Sequence, residues 1–219
     1  MKCIYCSDHC IRKGFVKKNQ RFFCKSCKHY QQDVYQYKRC TTDHERIIAQ
    51  LTTEGMSISG VARITGISKS NVIKRIKKIA HELKTAVFKE ENQEYEVDEL
   101  YTFIGNKEKP TYIIYALNRQ TRKVIDFVVG GRTTENISKI INQLKCLKPK
   151  CIYTDGLNSY PGLLKGITHI KSKHKINHIE RMNLNLRTHL KRLSRKTICF
   201  SKSKEMLESC LRLYFLKYQ

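Results

Sequence analysis

The sequence predicts a multidomain protein in which a small cysteine-rich module and a group of helices precede an α/β domain with a mixed sheet. Three observations predict this order. Two CxxC pairs lie in the first 27 residues, helical periodicity follows, and from Glu94 onwards the apolar residues have the period of β-strands. A chain of 219 residues is long enough to bury a core. We expect a linker at residues 84–93 and domains at residues 1–40, 41–83 and 94–219.

The charge of the chain indicates a polyanionic partner. It has 43 Lys and Arg against 19 Asp and Glu, hence a net charge of +24, with a pI near 9.7. Such a balance is typical of proteins that bind nucleic acid. Most of the charge lies outside residues 93–164, in two strongly cationic flanking parts. No apolar run approaches the length of a membrane span. We therefore expect a cytoplasmic protein, associated with the nucleoid when bound to DNA, and no membrane partner.

The first element is a pair of cysteine motifs. Cys3 and Cys6 form one CxxC and Cys24 and Cys27 the other, with 17 residues between them. This spacing lets four thiolates surround one tetrahedral Zn²⁺, and in a reducing compartment metal binding is favoured over disulfides. The intervening stretch alternates enough to form a short hairpin. The motifs therefore predict a zinc ribbon with structural Zn²⁺; the alternative, a redox-active thiol pair, would need only one CxxC.

The second element is a pair of short helices within residues 57–80. A turn at Gly66 separates them, and Ser68 is placed to cap the second helix. Val72, Ile73, Ile76 and Ile79 form the buried side of that helix, and its opposite side is basic and polar. This resembles a helix-turn-helix with a recognition helix for the major groove of double-stranded DNA. The alternative is a solvated amphipathic helix. The candidate DNA-binding residues here are Lys69, Ser70, Asn71, Lys74, Arg75 and Lys78.

The third element is the α/β domain. Strands are expected within residues 94–105, 112–117 and 123–131, joined by short turns as an antiparallel meander. Residues 133–147 have helical periodicity, and residues 151–156 form a short apolar strand that ends at Asp155-Gly156. Three strands, a helix and a fourth strand are the opening of an RNase H-like domain with a mixed sheet.

Two carboxylates stand out in this domain. Asp98 lies in the first strand and Asp155 ends the fourth. If these strands are neighbours, the carboxylates lie side by side, and a divalent cation with oxygen ligands, Mg²⁺ or Mn²⁺, resolves their repulsion. Each acid also has a simpler explanation, because the first strand has a polar face and Asp-Gly is a common turn dipeptide.

A third carboxylate completes the pattern. Glu180 is the only acid between Lys165 and Lys204. It flanks a helical stripe that includes Ile179 and Leu186, which places it at the edge of the core. Together with Asp98 and Asp155 it makes a candidate three-carboxylate metal site.

At this point the sequence resembles the DDE transposases of the insertion sequence one (IS one) family. The matching stretches are VDELYTFIGNK (97–107), YTDG (153–156) and HIERMNLNLRTHLKRLSRKTICFSKS (178–203). The resemblance implies that Asp98, Asp155 and Glu180 are the catalytic, Mg²⁺-binding triad. It also implies that the basic residue two turns after the glutamate, Arg187, contacts DNA near the cleavage point.

The resemblance further implies a transposase. Such a protein binds the terminal inverted repeats of an insertion sequence, and it cleaves and joins transposon ends and target DNA with Mg²⁺ or Mn²⁺. C-terminal cations such as Lys191 would hold flanking or target DNA, and two DNA ends in one complex imply a homodimer or larger oligomer. Two alternatives stay open: a non-catalytic DNA-binding regulator, and an RNase H-like nuclease.

Overall fold

The computed structural model of the chain describes residues 1–16, 18–32, 42–83 and 91–217. The chain forms two compact units, residues 1–41 and residues 42–219. The end of the predicted zinc ribbon, 33–40, and most of the predicted linker, 84–90, lie outside the described residues. Across the described ranges, none of the helices has the length and apolar character needed to span a bilayer.

The first unit is built on a three-stranded antiparallel sheet in the order β1-β2-β3. The strands are β1 (Cys10–Val16), β2 (Asn19–Cys24) and β3 (Tyr30–Gln32). The predicted hairpin between the CxxC pairs is the β1–β2 pair, and β3 was not predicted. The buried side chain of Gln31 joins β3 to the N-terminal segment, because its Oε1 accepts the N–H of Ile4 and its Nε2 donates to the carbonyl oxygen of Lys2, both at 2.9 Å.

The second unit begins with three helices. They are α1 (Thr42–Thr53), α2 (Ile58–Thr65) and α3 (Lys69–Glu82). Gly66 ends α2 in the left-handed conformation, with φ +67°, and the hydroxyl of Ser68 accepts the N–H of Asn71 to cap α3. The turn at Gly66 and the cap at Ser68 are those predicted from the sequence.

The rest of the second unit surrounds a five-stranded sheet in the order β6-β5-β4-β7-β8. β4, β5 and β6 are antiparallel neighbours, whereas β7 and β8 continue the sheet from β4 in parallel. The mixed sheet of the predicted α/β domain is therefore confirmed. Its elements are β4 (Glu94–Ile104), β5 (Asn106–Asn118), β6 (Val124–Gly130), α4 (Thr134–Cys146), β7 (Cys151–Thr154), α5 (Ser159–Leu163), β8 (His169–Lys171), α6 (Asn177–His189) and α7 (Lys204–Lys217).

Helices cover both faces of this sheet. On one face, Ile137 and Ile141 of α4 and Tyr160 of α5 pack in one buried cluster with strand residues such as Val97. On the other face, α6 and α7 pack in a second cluster with strand residues such as Leu100. Successive residues of β4 alternate between the two faces. Asp98 therefore lies on the α6 side, and the next residue, Glu99, lies on the α4 side.

α7 also packs against α1 and α3. Its buried Met206, Cys210 and Leu213 share a cluster with residues of α1 and α3 such as Ile48 and Ile76. The three helices and the sheet thus belong to one compact unit. Division into separate domains at residues 41–83 and 94–219 stays a prediction.

A glycine lies at a close contact between these parts. Gly55, just after α1, has φ +72°, and a Cβ atom there would lie 2.1 Å from the carbonyl oxygen of His189, the last residue of α6. Only glycine meets both requirements, the left-handed backbone and the close contact.

Candidate active site at the edge of β4 and β7

The structure brings Asp98 and Asp155 together. β4 and β7 are parallel neighbours whose last paired residues are Val97 and Thr154, so each aspartate is the next residue of its strand. Carboxylate oxygens of Asp98, Asp155 and Glu99 all lie within 4.8 Å of one another. The expected adjacency of the first and fourth strands is thus the origin of the site.

Two hydrogen bonds orient the Asp98 carboxylate. Its Oδ1 accepts the backbone N–H of Glu99 at 2.8 Å, and its Oδ2 accepts Nδ2–H of Asn183 at 2.7 Å. Burial raises the pKa of Asp98, and the nearby negative charges of Asp155 and Glu180 raise it further. A cation at this position would remove that repulsion.

Asn183 is itself held in place. Its Oδ1 accepts the hydroxyl proton of Tyr115 at 2.8 Å, and Tyr115 is fully buried in β5. Asn183 was not predicted from the sequence as a site residue. Its position three residues after Glu180, on the same face of α6, is the signal that identifies it.

Asp155 is held by a turn and by an arginine. Its Oδ1 accepts the backbone N–H of Leu157 at 3.0 Å, and its Oδ2 lies 3.4 Å from Nη2 of Arg132. The sequence analysis did not identify Arg132. It lies between β6 and α4, and its contact with Asp155 depends on how these elements pack.

Glu99 is a third carboxylate that the sequence analysis left unassigned. Its Oε2 accepts hydrogen bonds from Nε and Nη2 of Arg132, at 2.9 and 2.8 Å, and its Oε1 accepts the hydroxyl proton of Tyr160. The side chain is 1% exposed, and burial raises its pKa. Both oxygens of Glu99 are therefore already paired.

Glu180 lies on the first turn of α6 and is exposed. It is near enough to raise the pKa of Asp98, but its oxygens are outside the group that lies within 4.8 Å. The structure therefore places two of the three predicted carboxylates together and the third beside them, and Glu180 as a catalytic ligand stays a prediction.

A buried glutamate fixes the start of α6. Glu96 is 0% exposed, and its Oε2 accepts the N–H of Ile179 at 2.8 Å while its Oε1 lies 3.0 Å from Nε of Arg119. A carboxylate at the first turn of a helix is stabilised by the helix dipole. Glu96 thereby determines where the segment that carries Glu180 and Asn183 begins.

Arg187 braces α6 against the sheet. Its Nη1 donates to the carbonyl oxygen of Leu193 at 3.1 Å, and its Nη2 donates to that of Tyr101 in β4 at 3.2 Å. The side chain is half-buried, and burial lowers its pKa. Lys191, in contrast, is exposed in a single 3₁₀ turn after α6. DNA binding by either residue stays a prediction.

Cations line a cleft of about 510 Å³ between the N-terminal helices and the segment after α6. It joins two predicted DNA-binding residues, Lys69 of α3 and Lys191, and none of the described residues that line it is acidic. The basic residues in its wall are Lys69, Lys77, Lys191, Arg192 and Lys202.

The predicted DNA-binding residues of α3 differ in their surroundings. Lys69, Ser70 and Lys74 are exposed, and Asn71 and Arg75 are half-buried. Lys78 is exposed too, but its Nζ lies 3.4 Å from a carboxylate oxygen of Glu45 and 3.7 Å from one of Glu82. These are surface ion pairs.

The four predicted zinc ligands come together in the first unit. The Sγ atoms of Cys3, Cys6, Cys24 and Cys27 lie within 4.8 Å of one another, with Cys3–Cys27 at 3.5 Å and Cys6–Cys24 at 3.4 Å. A backbone N–H from Cys27 lowers the pKa of Cys24 to about 6, which favours the thiolate. Four cysteine sulfurs this close together form a donor set of the kind that holds structural Zn²⁺.

Comparison with known proteins identifies relatives of the sheet-containing part. The family model for IS1 transposase matches residues 94–219. The chain is 38% identical to insertion element IS1 protein InsB of Shigella flexneri over 119 residues, which are 54% of this chain and 91% of the relative. It is 37% identical to insertion element IS1 4 protein InsB of Escherichia coli (strain K12), with 54% and 71% covered.

Two solved structures share a more distant similarity. One is the HTLV-2 integrase catalytic core domain in complex with magnesium, with a TM-score of 0.39, 14% identity, and 57% of this chain and 84% of that chain covered. The other is a simian T-cell lymphotropic virus intasome in complex with the PP2A regulatory subunit B56 gamma, with a TM-score of 0.38, 12% identity and coverage of 64% and 59%.

Proposed function

The chain belongs to the IS1 transposase family, and from this premise we propose that it binds the terminal inverted repeats of an insertion element and catalyses metal-dependent DNA cleavage and strand transfer. The observation that carries the proposal is the pair Asp98 and Asp155, side by side at the end of β7, with each carboxylate oriented by a side-chain donor. Oxygen ligands of this kind suit Mg²⁺ or Mn²⁺.

The proposed roles of Asp98 and Asp155 follow from their surroundings, and that of Glu180 follows from the family resemblance. Asp98 and Asp155 hold the metal, and Glu180 reaches it from the first turn of α6. When bound, Mg²⁺ supplies Lewis-acid stabilisation of the phosphodiester and lowers the pKa of the attacking hydroxyl group. Asn183 keeps Asp98 oriented, so that little reorganisation is needed when substrate binds.

DNA binding is assigned to the cationic surfaces. Lys69, Lys74 and their neighbours on α3 read the terminal repeat, and Lys191 contributes to the cleft that continues from α3 toward the end of α6. Cutting and joining both ends of an element needs two active sites, so we propose a homodimer or larger oligomer on DNA. The four cysteines hold structural Zn²⁺ in the first unit.

A strand-transfer assay tests this function. Wild-type protein, Mg²⁺ and DNA ends of its own element should give joined products, and Asp98→Ala, Asp155→Ala and Glu180→Ala should each abolish joining. Glu135→Ala is the matched control, because Glu135 is an exposed carboxylate that forms an ion pair with Lys139 on the same helix.

Three results would contradict the proposal in different ways. Full joining activity in Glu180→Ala would remove Glu180 from the site. Tight repeat binding without cleavage by the wild type would favour a DNA-binding regulator. Cleavage of RNA–DNA hybrids without joining would favour an RNase H-like nuclease.

A further inference from the structure

A carboxylate next to the proposed metal ligands has no part in the function proposed above. Glu99 follows Asp98 in β4 but lies toward the α4 side of the sheet, where Tyr160 is buried. Its Oε1 accepts from Tyr160 and its Oε2 accepts from Arg132. Because both oxygens are occupied, Glu99 is an anchor for Arg132 and not a free ligand.

Arg132 connects this anchor to Asp155. Its Nε and Nη2 lie 2.9 and 2.8 Å from the same oxygen of Glu99, which fixes the plane of the guanidinium group. The same Nη2 lies 3.4 Å from Oδ2 of Asp155. The donor that reaches Asp155 is thus held by a side chain that is 1% exposed.

Asp155 needs such a donor because its carboxylate rotates easily about the terminal side-chain bond. The terminal torsion of aspartate has broad minima, so packing alone does not fix it. The N–H of Leu157 holds Oδ1 from within the same turn, whereas the contact to Oδ2 comes from Arg132. Loss of that contact leaves one oxygen without its side-chain donor.

We propose that Glu99 and Arg132 form a positioning pair that orients the carboxylate of Asp155, so that it binds a divalent cation together with Asp98. This inference rests on the proposed function, because it assigns the metal site to Asp98 and Asp155. The positive charge of Arg132 is balanced by Glu99 at close range, so the pair adds little net repulsion toward the cation. Its effect is one of geometry.

The double substitution Glu99→Gln/Arg132→Gln tests the pair without changing the net charge. Mn²⁺ is titrated into the protein without DNA, and free Mn²⁺ is measured by electron paramagnetic resonance. We expect the dissociation constant to rise about tenfold, the lower end of the usual effect of a lost outer-sphere contact. The matched control is Glu135→Gln/Lys139→Gln, which removes an exposed ion pair at 2.9 Å on α4 and should leave Mn²⁺ binding unchanged.

Joining assays separate positioning from damage to the fold. At saturating Mn²⁺ the double variant should recover most of the joining rate, because the lost orientation is offset by metal concentration. Arg132→Lys keeps the positive charge but lacks the planar guanidinium group. This variant should bind Mn²⁺ more weakly than the wild type and should unfold at the same temperature as the wild type.

The outcomes distinguish failure of the positioning pair from failure of the proposed function. Unchanged or tighter Mn²⁺ binding in the double variant, or in Arg132→Lys if the double variant does not fold, overturns the positioning pair. A wild type that binds Mn²⁺ through Asp98, with the expected weakening in the variants, but that never joins DNA would overturn the proposed function and leave the pair standing. A wild type that binds no Mn²⁺ would overturn both.

Discussion

At the scale of single residues, the orientation of Asp98 depends on one side-chain donor. Asn183→Ala removes the hydrogen bond to Asp98 Oδ2, and we expect joining activity to fall about 10- to 100-fold, as is usual for residues that orient metal ligands. The rate of joining at fixed Mg²⁺ measures this. Tyr115→Phe removes the hydroxyl that donates to Oδ1 of Asn183 and also lies 3.2 Å from the carbonyl oxygen of Ile179, and because it does not touch Asp98 it should cost less. A larger loss in Tyr115→Phe than in Asn183→Ala would contradict the order of contacts.

The raised pKa of Asp98 predicts a pH dependence of stability. In the metal-free protein, a carboxyl whose folded pKa lies above its ordinary 3.8 stabilises the fold most when protonated, and this contribution is lost as pH rises through the raised value. The thermal midpoints of wild type and Asp98→Asn are measured from pH 4 to 7. As pH rises, the midpoint of the variant should increase relative to that of the wild type. Saturating Mn²⁺ should reverse that shift for the wild type. A difference that does not vary with pH would contradict the prediction.

Sequence reasoning found the site residues that follow from strand order, and missed those that follow from packing. Asp98 and Asp155 could be paired because neighbouring parallel strands bring their ends together. Arg132 could not be paired with Glu99, because the contact depends on where β6 ends and on how α4 packs. The position of the Glu180 side chain depends likewise on the exact start of α6, which the buried Glu96 determines.

At the scale of elements, α3 carries lysines of two kinds. Lys74 is exposed, whereas Lys78 lies near Glu45 and Glu82. We expect Lys74→Ala to weaken binding to the terminal repeat and to reduce the salt slope by about 1, as for a lost phosphate contact. Lys78→Ala should change DNA binding less and cost at most about 1 kcal/mol in stability. Fluorescence anisotropy at several salt concentrations measures DNA binding by both variants. Equal losses of binding in Lys74→Ala and Lys78→Ala would contradict the distinction.

The cysteine-rich element should depend on its metal. Cys24→Ser removes one of four clustered thiols, and we expect loss of bound zinc and proteolysis within residues 1–32, because small zinc modules gain their folding energy from the ion. The control is Cys199→Ser, an exposed thiol in the other unit, which should keep one zinc per chain. Zinc content and limited proteolysis measure this. Normal zinc content in Cys24→Ser would rule out the four-cysteine site.

Elements with a clear period were predicted, and three of the short elements were not. α4 was predicted because Ile137, Ile140, Ile141 and Leu144 recur at helical spacing, and all four are fully buried. β3 and β8 have three residues each and α5 has five, which is too short for any periodicity to show. These elements form because longer neighbours provide their hydrogen bonds and apolar contacts.

At the scale of the whole molecule, the second unit depends on its N-terminal helices. A chain without residues 1–83 would expose Met206, Cys210 and Leu213 of α7, which are at most 8% exposed in the full unit. Buried apolar side chains contribute roughly 1.5–3 kcal/mol each, so we expect the free energy of unfolding to fall by several kcal/mol. We also expect the shortened chain to bind a dye that recognises exposed apolar surface. A chain without residues 1–41 should stay stable. Equal thermal midpoints for the two deletions would contradict this dependence.

This dependence was not predicted from the sequence, because α7 packs on the core of the sheet as well as on these helices. Leu207 and Leu211 do face that core, but Met206 and Cys210 lie on the other side of the same helix. Apolar residues on two faces indicate a helix buried on both sides. The pattern does not identify which element covers the second face.

The contact at Gly55 has a consequence for the DNA. Because the backbone after α1 touches the end of α6 with no side chain between them, we expect α3, the proposed recognition helix, and α6, beside the carboxylates, to keep a fixed distance. The protein would then accept only one number of base pairs between the sequence it reads and the bond it cuts. One added base pair would move that bond about 3.4 Å along the duplex and turn it by about 34°.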